Sequence, residues 1–310
     1  MQDQTVFIVG SPRSGTTLLG DILDLHPQIG RWYEPYFVLD RHFQDAPNDC
    51  RTAFDATDLV RQDILRAFVA FRQKRNCRIV IDKTPRNCLR IPFLQAIFPQ
   101  AKFIHMLRDG RDTTLSIYRE WCKRENIVGH GKNFWQGIGI LKEFLDEHPT
   151  WDHKIAALRF EIGSPANLFK GRTQLFYRLR RWHGRVGWGP QFAGWQALID
   201  QVSTLEFNAF QWAKCIEAVL ETSPHLDQSR FLEIRYEPLL EQPNQTLSQI
   251  FNFLEIDQPT DFVLRLPQLK NSNTGKWREA FSAEEQARIA PIVEPLLNRL
   301  GYISDPTRLS

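Results

Sequence analysis

A three-layer α/β fold, built on a central parallel sheet with a mostly helical insertion, is what this 310-residue sequence predicts. Three observations carry the prediction. Short apolar, β-branched runs at 6–9, 78–81 and 103–107 alternate with longer amphipathic stretches. That is the pattern of strands buried on both faces and joined through helices. The first run enters its helix through a glycine-rich turn. All three runs deliver a cation just beyond the strand: Arg13, Lys83 and Arg108. Ligands of an open parallel sheet bind at the carboxyl ends of its strands, so the convergence marks a binding site.

The length allows one large domain, 1–310, with an insertion at about 125–203. A formal charge of +3 is too small to indicate nucleic-acid binding. The eight histidines and five cysteines form no Cys-x-x-Cys or His-Glu-x-x-His spacing, so no metal site is expected. An odd number of scattered cysteines favours a reducing compartment. Neither a basic-then-apolar leader nor an apolar run of ~18 residues occurs, which leads to the expectation of a cytoplasmic protein.

The first strand leads into Gly10-Ser11-Pro12-Arg13-Ser14-Gly15-Thr16-Thr17. Leu18, Leu19, Ile22, Leu23 and Leu25 then fall at helical spacing. A strand, a tight turn and a helix start together make an anion site. The first N–H groups of a helix have no internal partners, and the helix dipole adds positive charge there. Gly10 and Gly15 let a phosphate approach the backbone, while Ser14, Thr16 and Thr17 add hydroxyls. The Gly10-x-x-x-x-Gly15 spacing is P-loop-like, but Thr16 stands where a triphosphatase needs lysine. The cation is Arg13, inside the loop, which suits one phosphate and its substituent rather than a magnesium-bound polyphosphate.

His26-Pro27 closes the first helix, and a loop carrying Arg31, Trp32, Tyr33 and Glu34 follows. Leu59, Ile64, Phe68 and Phe71 predict a helix over 56–74. The second strand delivers Asp82, Lys83 and Thr84. The third releases Arg108-Asp109-Gly110-Arg111-Asp112-Thr113-Thr114-Leu115-Ser116, with Asp112 the expected N-cap of the next helix. Arg108 and Ser116 form a second anion site, a guanidinium at a strand end facing a hydroxyl in the helix's first turns. His105, inside the apolar third strand, reads as a core residue rather than a base. Later come a helix at 204–221, a strand at 231–236 and a helix at 243–254. A polar loop at 271–278 and a helix at 283–299 follow.

Residues 125–203 break the alternation. Trp135, Trp151, Trp182, Trp188 and Trp195 lie among glycines and short helical pieces. Lys170, Arg172, Arg178, Arg180, Arg181 and Arg185 stand between Glu161 and Asp200 with no acidic residue among them. Leu175, Phe176, Leu179 and Trp182 share a helical face. That helix either packs into the core with its arginines solvated, or edges the site of an anionic or amphiphilic acceptor, with peripheral membrane contact.

Together these motifs resemble the PAPS-dependent sulfotransferases (PAPS is 3′-phosphoadenosine 5′-phosphosulfate). Their first loop reads Pro-[Arg/Lys]-Ser-Gly-Thr-Thr and holds the 5′-phosphosulfate. Arg108-x-Gly-Arg-Asp-x-x-x-Ser116 is similar to the family's 3′-phosphate site. Arg235-Tyr236-Glu237-x-Leu-Leu-x-x-Pro243 resembles a late strand and turn whose tyrosine lies near the nucleotide. Gly275-Lys276-Trp277-Arg278 resembles a loop that closes over the 3′-phosphate and adenosine. Within the family the pattern most resembles the tyrosylprotein sulfotransferase branch and its bacterial relatives, on Arg13, His26-Pro27, Glu34 and Lys83.

The resemblance implies in-line sulfuryl transfer from PAPS to a hydroxyl acceptor, leaving adenosine 3′,5′-bisphosphate, with no metal. It makes Glu34 the general base and puts Arg13 and Lys83 at the leaving oxygen. It assigns donor binding to Arg13, Ser14, Gly15, Thr16, Thr17, Arg108, Ser116, Tyr236, Lys276 and Trp277. Two departures stand out. Pro85 occupies the place where the small-molecule branch carries a histidine base. Tyr33-Glu34-Pro35-Tyr36 replaces a Glu-Glu-Thr-Arg run, without the arginine that helps hold an acidic peptide. The rivals are a P-loop-type nucleotide kinase and a binder of anionic polymer or membrane acting through 170–185. Thr16, and the lack of an acidic magnesium ligand after a strand, oppose the kinase.

Overall fold

The computed structural model describes residues 3–129, 182, 187–259, 262, 266 and 273–303. Five strands form one sheet: β1 (Gln4–Val9), β2 (Ile29–Tyr33), β3 (Ile79–Lys83), β4 (Lys102–Leu107) and β5 (Phe231–Arg235). Their order is β2-β3-β1-β4-β5, and every pairing is parallel. The segment 29–33, expected as part of a loop, is therefore a strand at the sheet edge. It pairs with β3 from Ile29↔Ile79 to Tyr33↔Lys83. Gly30 and Arg31 interrupt its apolar run, because an edge strand need not be apolar throughout.

Side chains alternate between the two faces of each strand, so one short run feeds two cores. Val6, Ile8, Ile104, Met106 and Ile234 meet α1 (Thr16–Leu23) on one face. The same layer holds two helices late in the chain, Tyr236–Glu241 and Pro243–Leu254. Phe7, Val9, Val80, Phe103 and Leu107 pack on the other face. That layer includes the short α2 (Tyr36–Leu39), α3 (Asp58–Arg75), α4 (Ile91–Ile97) and α5 (Gly110–Gly129). It also includes the helices Thr204–Thr222 and Ala283–Arg299. Three layers result, as the sequence predicts.

Two local expectations need correction or limits. Helix α5 starts at Gly110, so Asp112 is inside its first turn rather than at the N-cap. Asp109 takes that place: its carboxylate accepts from the Arg111 N–H at 2.8 Å, and its carbonyl from the Thr113 N–H at 3.0 Å. Asp112 is thereby released for another task, described below. The insertion expected at 125–203 lies largely outside the described residues, including Arg172, Arg178, Arg181 and Arg185. Trp182 is described, and it is buried with its ring centroid 5.1 Å from Trp121 and 4.8 Å from Trp195.

His105 is fully buried, with Nδ1 3.3 Å from the Glu233 carboxylate across the β4–β5 pair. Among the described residues no helix is long and apolar enough to cross a membrane. Within the same residues no cluster of three His, Cys, Asp or Glu side chains is placed to hold a metal ion.

Candidate active site

The carboxyl ends of the strands open into a cleft of about 610 Å³. It gathers Arg13, Gly15, Thr16, Thr17, Glu34, Lys83, Arg108, Ser116, Tyr236 and Lys276 from across the sequence. Two expected members stand behind the wall. The Ser14 hydroxyl donates to the Ser11 carbonyl at 2.7 Å, bracing the loop from within. The Trp277 ring lies between two guanidiniums, 4.1 Å from Arg111 and 4.9 Å from Arg278.

The loop after β1 owes its shape to left-handed backbone at Arg13 (φ 67°) and Gly15 (φ 100°). Alternating handedness turns successive N–H groups to one side, a concavity suited to an anion. Gly15 is required twice over. A Cβ there would sit 2.5 Å from the Tyr236 ring as well as in a strained conformation. The α1 ladder opens with the Leu19 N–H bonded to the Gly15 carbonyl, which leaves Thr16 and Thr17 in the first, unpaired turn. Arg13 reaches across the cleft and donates from Nε to the Ser116 hydroxyl at 3.0 Å. The first anion loop and the second therefore touch.

Arg108 is a strut between two loops. One guanidinium nitrogen donates to the Arg13 carbonyl at 2.9 Å, another to the Asn273 carbonyl, and the plane lies 4.5 Å from the Tyr236 ring. Asp112 completes the tie by accepting from the backbone N–H groups of Gly275 and Trp277. So the loop at 273–277 is fastened by Arg108, just ahead of α5, at its Asn273 end and by Asp112 of α5 at Gly275 and Trp277, with Lys276 lining the cleft. A phosphorylated nucleotide fits this donor set. The buried Nε of Arg108 has no hydrogen-bond partner among the described residues, and the turn at 13–17 supplies a second concentration of donors.

At the other end of the cleft, Lys83 is 1% exposed and forms an ion pair with Glu34. Its ammonium also lies 4.4 Å from the Tyr33 ring centroid. Glu34 itself has left-handed backbone (φ 40°), uncommon for a residue with a Cβ. Burial pushes its carboxyl up. The Lys83 charge and hydrogen bond, the Tyr36 hydroxyl and Arg86 outweigh burial and hold the group below its ordinary value. Glu34 is thus ionised at neutral pH. Asp82, next along β3, does the reverse: burial raises it to about 6, against hydrogen bonds from Thr84 at 2.6 Å and Asn87 at 2.9 Å. Those two bonds brace the turn that aims Lys83.

One wall of the cleft lies outside the sequence motifs. Arg119, Glu120, Lys123 and Arg124 line the cleft beyond Ser116, together with Trp188. Counting from Ser116 they fall at +3, +4, +7 and +8, one face of α5, and that spacing is the signal that would have found them. Arg124 is paired with Glu120 at 2.8 Å, while Arg119 and Lys123 are exposed.

The model of the sulfotransferase family matches residues 5–159. The nodulation protein NoeE of Sinorhizobium fredii is 30% identical over 130 residues, which is 37% of this chain and 31% of that protein. Protein-tyrosine sulfotransferase of Drosophila melanogaster is 32% identical over 195 residues, 58% of this chain and 36% of that one. The chain thus spans about a third of the length of these curated relatives. A sulfotransferase domain from the curacin biosynthetic pathway has the same fold, with a TM-score of 0.51 at 16% identity. That match covers 93% of this chain and 96% of that domain.

Proposed function

From the premise that the chain belongs to the sulfotransferase family, we propose that it moves a sulfuryl group from PAPS to an acceptor hydroxyl, releasing adenosine 3′,5′-bisphosphate. The observation that carries this reading is the Glu34–Lys83 pair, set in the same cleft as the anion loop of Arg13 to Thr17. Bound PAPS supplies the sulfuryl group and a phosphate leaving group. Glu34 accepts the proton of the acceptor hydroxyl as that oxygen bonds to sulfur. Arg13 and Lys83 set positive charge where the departing phosphate oxygen becomes negative. Arg108, Ser116, Tyr236 and Lys276 hold the 3′-phosphate end.

We further infer an anionic acceptor. The support is the α5 face, where Arg119 and Lys123 continue the positive lining past Ser116. With a rise of about 1.5 Å per residue, Lys123 lies about 10 Å beyond Ser116 along the helix.

Calorimetry tests the donor. Adenosine 3′,5′-bisphosphate should bind much more tightly than AMP or ATP, in EDTA as well as in magnesium, and Arg108→Ala should remove most of that preference. Equal affinity for AMP would end the donor reading, and magnesium-dependent ATP binding would favour a kinase. Salt-sensitive binding of an anionic polymer that survives Arg13→Ala would favour a non-enzymatic binder. Incubation with radiolabelled PAPS and pooled host metabolites then identifies the acceptor by the product that takes up label.

A further inference from the structure

We propose that Tyr33 is a positioning residue for Lys83, its ring face keeping the ammonium at the cleft while Glu34 gives up its charge. The inference rests on the reading of Lys83 as the cation that meets the departing phosphate oxygen, and adds a residue to it. Tyr33 and Lys83 are partners in the β2–β3 register, and both line the cleft. The ammonium lies 4.4 Å from the ring centroid and also donates to the Glu34 carboxylate. These two holds differ in kind. The carboxylate holds Lys83 by its charge, which disappears once Glu34 takes the proton of the acceptor hydroxyl. In that step the acceptor oxygen bonds to sulfur. The sulfur–oxygen bond to phosphate breaks, and its electron pair stays on the phosphate oxygen. The ammonium therefore loses its ion pair just as the oxygen it must meet becomes negative. An aromatic face attracts a cation through its quadrupole, whatever the protonation of a neighbour, and neutralises none of its charge. Tyr33 keeps Lys83 in place while the ion pair gives way.

The ring is held in its turn. Arg31, Tyr33 and Lys83 fall on the α1 face of the sheet, in step with Ile29 and Ile81, which pack in that core. The Arg31 guanidinium lies 5.2 Å from the Tyr33 centroid and is paired with Asp21 of α1 at 2.6 Å. The Arg31 N–H donates to Asp24, at the end of α1, at 2.8 Å. Gly20 makes room for both stems. A Cβ there would sit 2.9 Å from Arg31 Cδ and 3.7 Å from the Lys83 Cβ. Beyond the strand ends the same two segments meet again, with the Arg86 guanidinium 4.4 Å from the Tyr36 ring centroid. The ring that holds Lys83 is tied through Arg31 to α1, the helix whose first turn completes the anion loop.

Fluorination tests the ring face at nearly constant shape. Tyr33→Phe is the reference, and one, two and three fluorines on its ring withdraw the negative face in steps. On the labelled acceptor kcat should fall along the series, by about tenfold at three fluorines, while adenosine bisphosphate affinity stays the same. In a Lys83→Ala background the series should be flat, because the ring then has no lysine to hold. A slope that survives Lys83→Ala would assign the effect to Arg31 and overturn the proposal. A second readout needs no turnover. The Lys83 ε-methylene protons, assigned as the NMR signal missing from Lys83→Ala, should resonate upfield of an ordinary lysine because the ring is close. Tyr33→Leu should return them to the usual position. An unmoved signal in Tyr33→Leu, or a flat series with Lys83 present, would also overturn the proposal. Near-normal turnover by Lys83→Ala would overturn the leaving-oxygen reading instead, and the NMR signal still reports whether the ring holds the lysine.

Discussion

The carboxylate of Asp112 accepts a hydrogen bond from the Gly275 N–H at 2.6 Å, across 163 residues of chain. A second bond, from the Trp277 N–H at 3.1 Å, makes one buried side chain the anchor of the whole closing loop. Hydrogen bonds to a charged group contribute about 1.5–3 kcal/mol each. Asp112→Ala should therefore lower adenosine bisphosphate affinity by about ten- to a hundredfold in calorimetry and expose 273–277 to limited proteolysis. Wild-type affinity would mean that the loop plays no part in holding the donor.

Glu34→Gln separates chemistry from binding. Turnover should fall by ~10²–10⁴-fold while bisphosphate affinity changes little. Lys83→Ala acts on pH as well. Burial alone raises Glu34, and Lys83 is the principal group opposing it, so the acid limb of kcat/KM should move to higher pH in this variant. A limb that stayed in place or moved down would contradict the assignment of that limb to Glu34.

Gly15→Ala combines a left-handed φ with a collision against Tyr236. A strained non-glycine residue costs about 1–3 kcal/mol before any clash is counted. Chemical denaturation should show a loss larger than that, together with at least tenfold weaker bisphosphate binding (~1.4 kcal/mol). Gly301→Ala is the control, since φ is 72° there but no atom lies within 4 Å of the added carbon. Equal losses in the two variants would remove Tyr236 from the explanation.

Asp82 predicts a stability trend with pH. Its folded value is raised from 3.8 to about 6, so its stabilising contribution is complete below the unfolded value and is lost as pH rises through about 6. Asn at this position carries no charge and keeps one acceptor oxygen, enough for the Thr84 bond on Oδ1 but not for the Asn87 bond on Oδ2. Asp82→Asn should narrow the difference in Tm between pH 5 and pH 7.5 by about 2–4 °C, measured by calorimetric scans. A wider gap would reverse the sign of the argument.

The α5 face predicts acceptor specificity. Arg119→Gln with Lys123→Gln should raise the acceptor KM and flatten its dependence on salt, leaving bisphosphate binding alone. An unchanged KM at low and high salt would return this face to ordinary solvated surface.

Legibility followed burial. Strands β1, β3 and β4 announce themselves because both faces are covered and every residue can be apolar, as in Val6 to Val9. The strand β2 did not, because Gly30 and Arg31 are tolerable at an edge. Arg13, Lys83 and Arg108 are legible in the sequence because each stands at or shortly after the carboxyl end of an apolar strand. In the sequence the Asp112 clamp looks like a cap because an acidic residue in a first turn satisfies either role, and only the tertiary position of Gly275 decides between them. Tyr36 and Arg86 carry no mark at all: their meeting depends on how β2 and β3 lie side by side, which no local periodicity encodes.

The tie between Arg108 and Asn273 has a consequence for how the molecule is made. A chain leaving the ribosome presents Arg13 long before Lys276. Glu34 and Lys83 can pair as soon as β2 lies beside β3, long before the closing loop has been translated. Arg108 and Asp112 have nothing to fasten until residues 273–277 emerge. A nascent chain halted short of Gly275 therefore carries the pair that does the chemistry but lacks the latch that keeps a nucleotide in front of it.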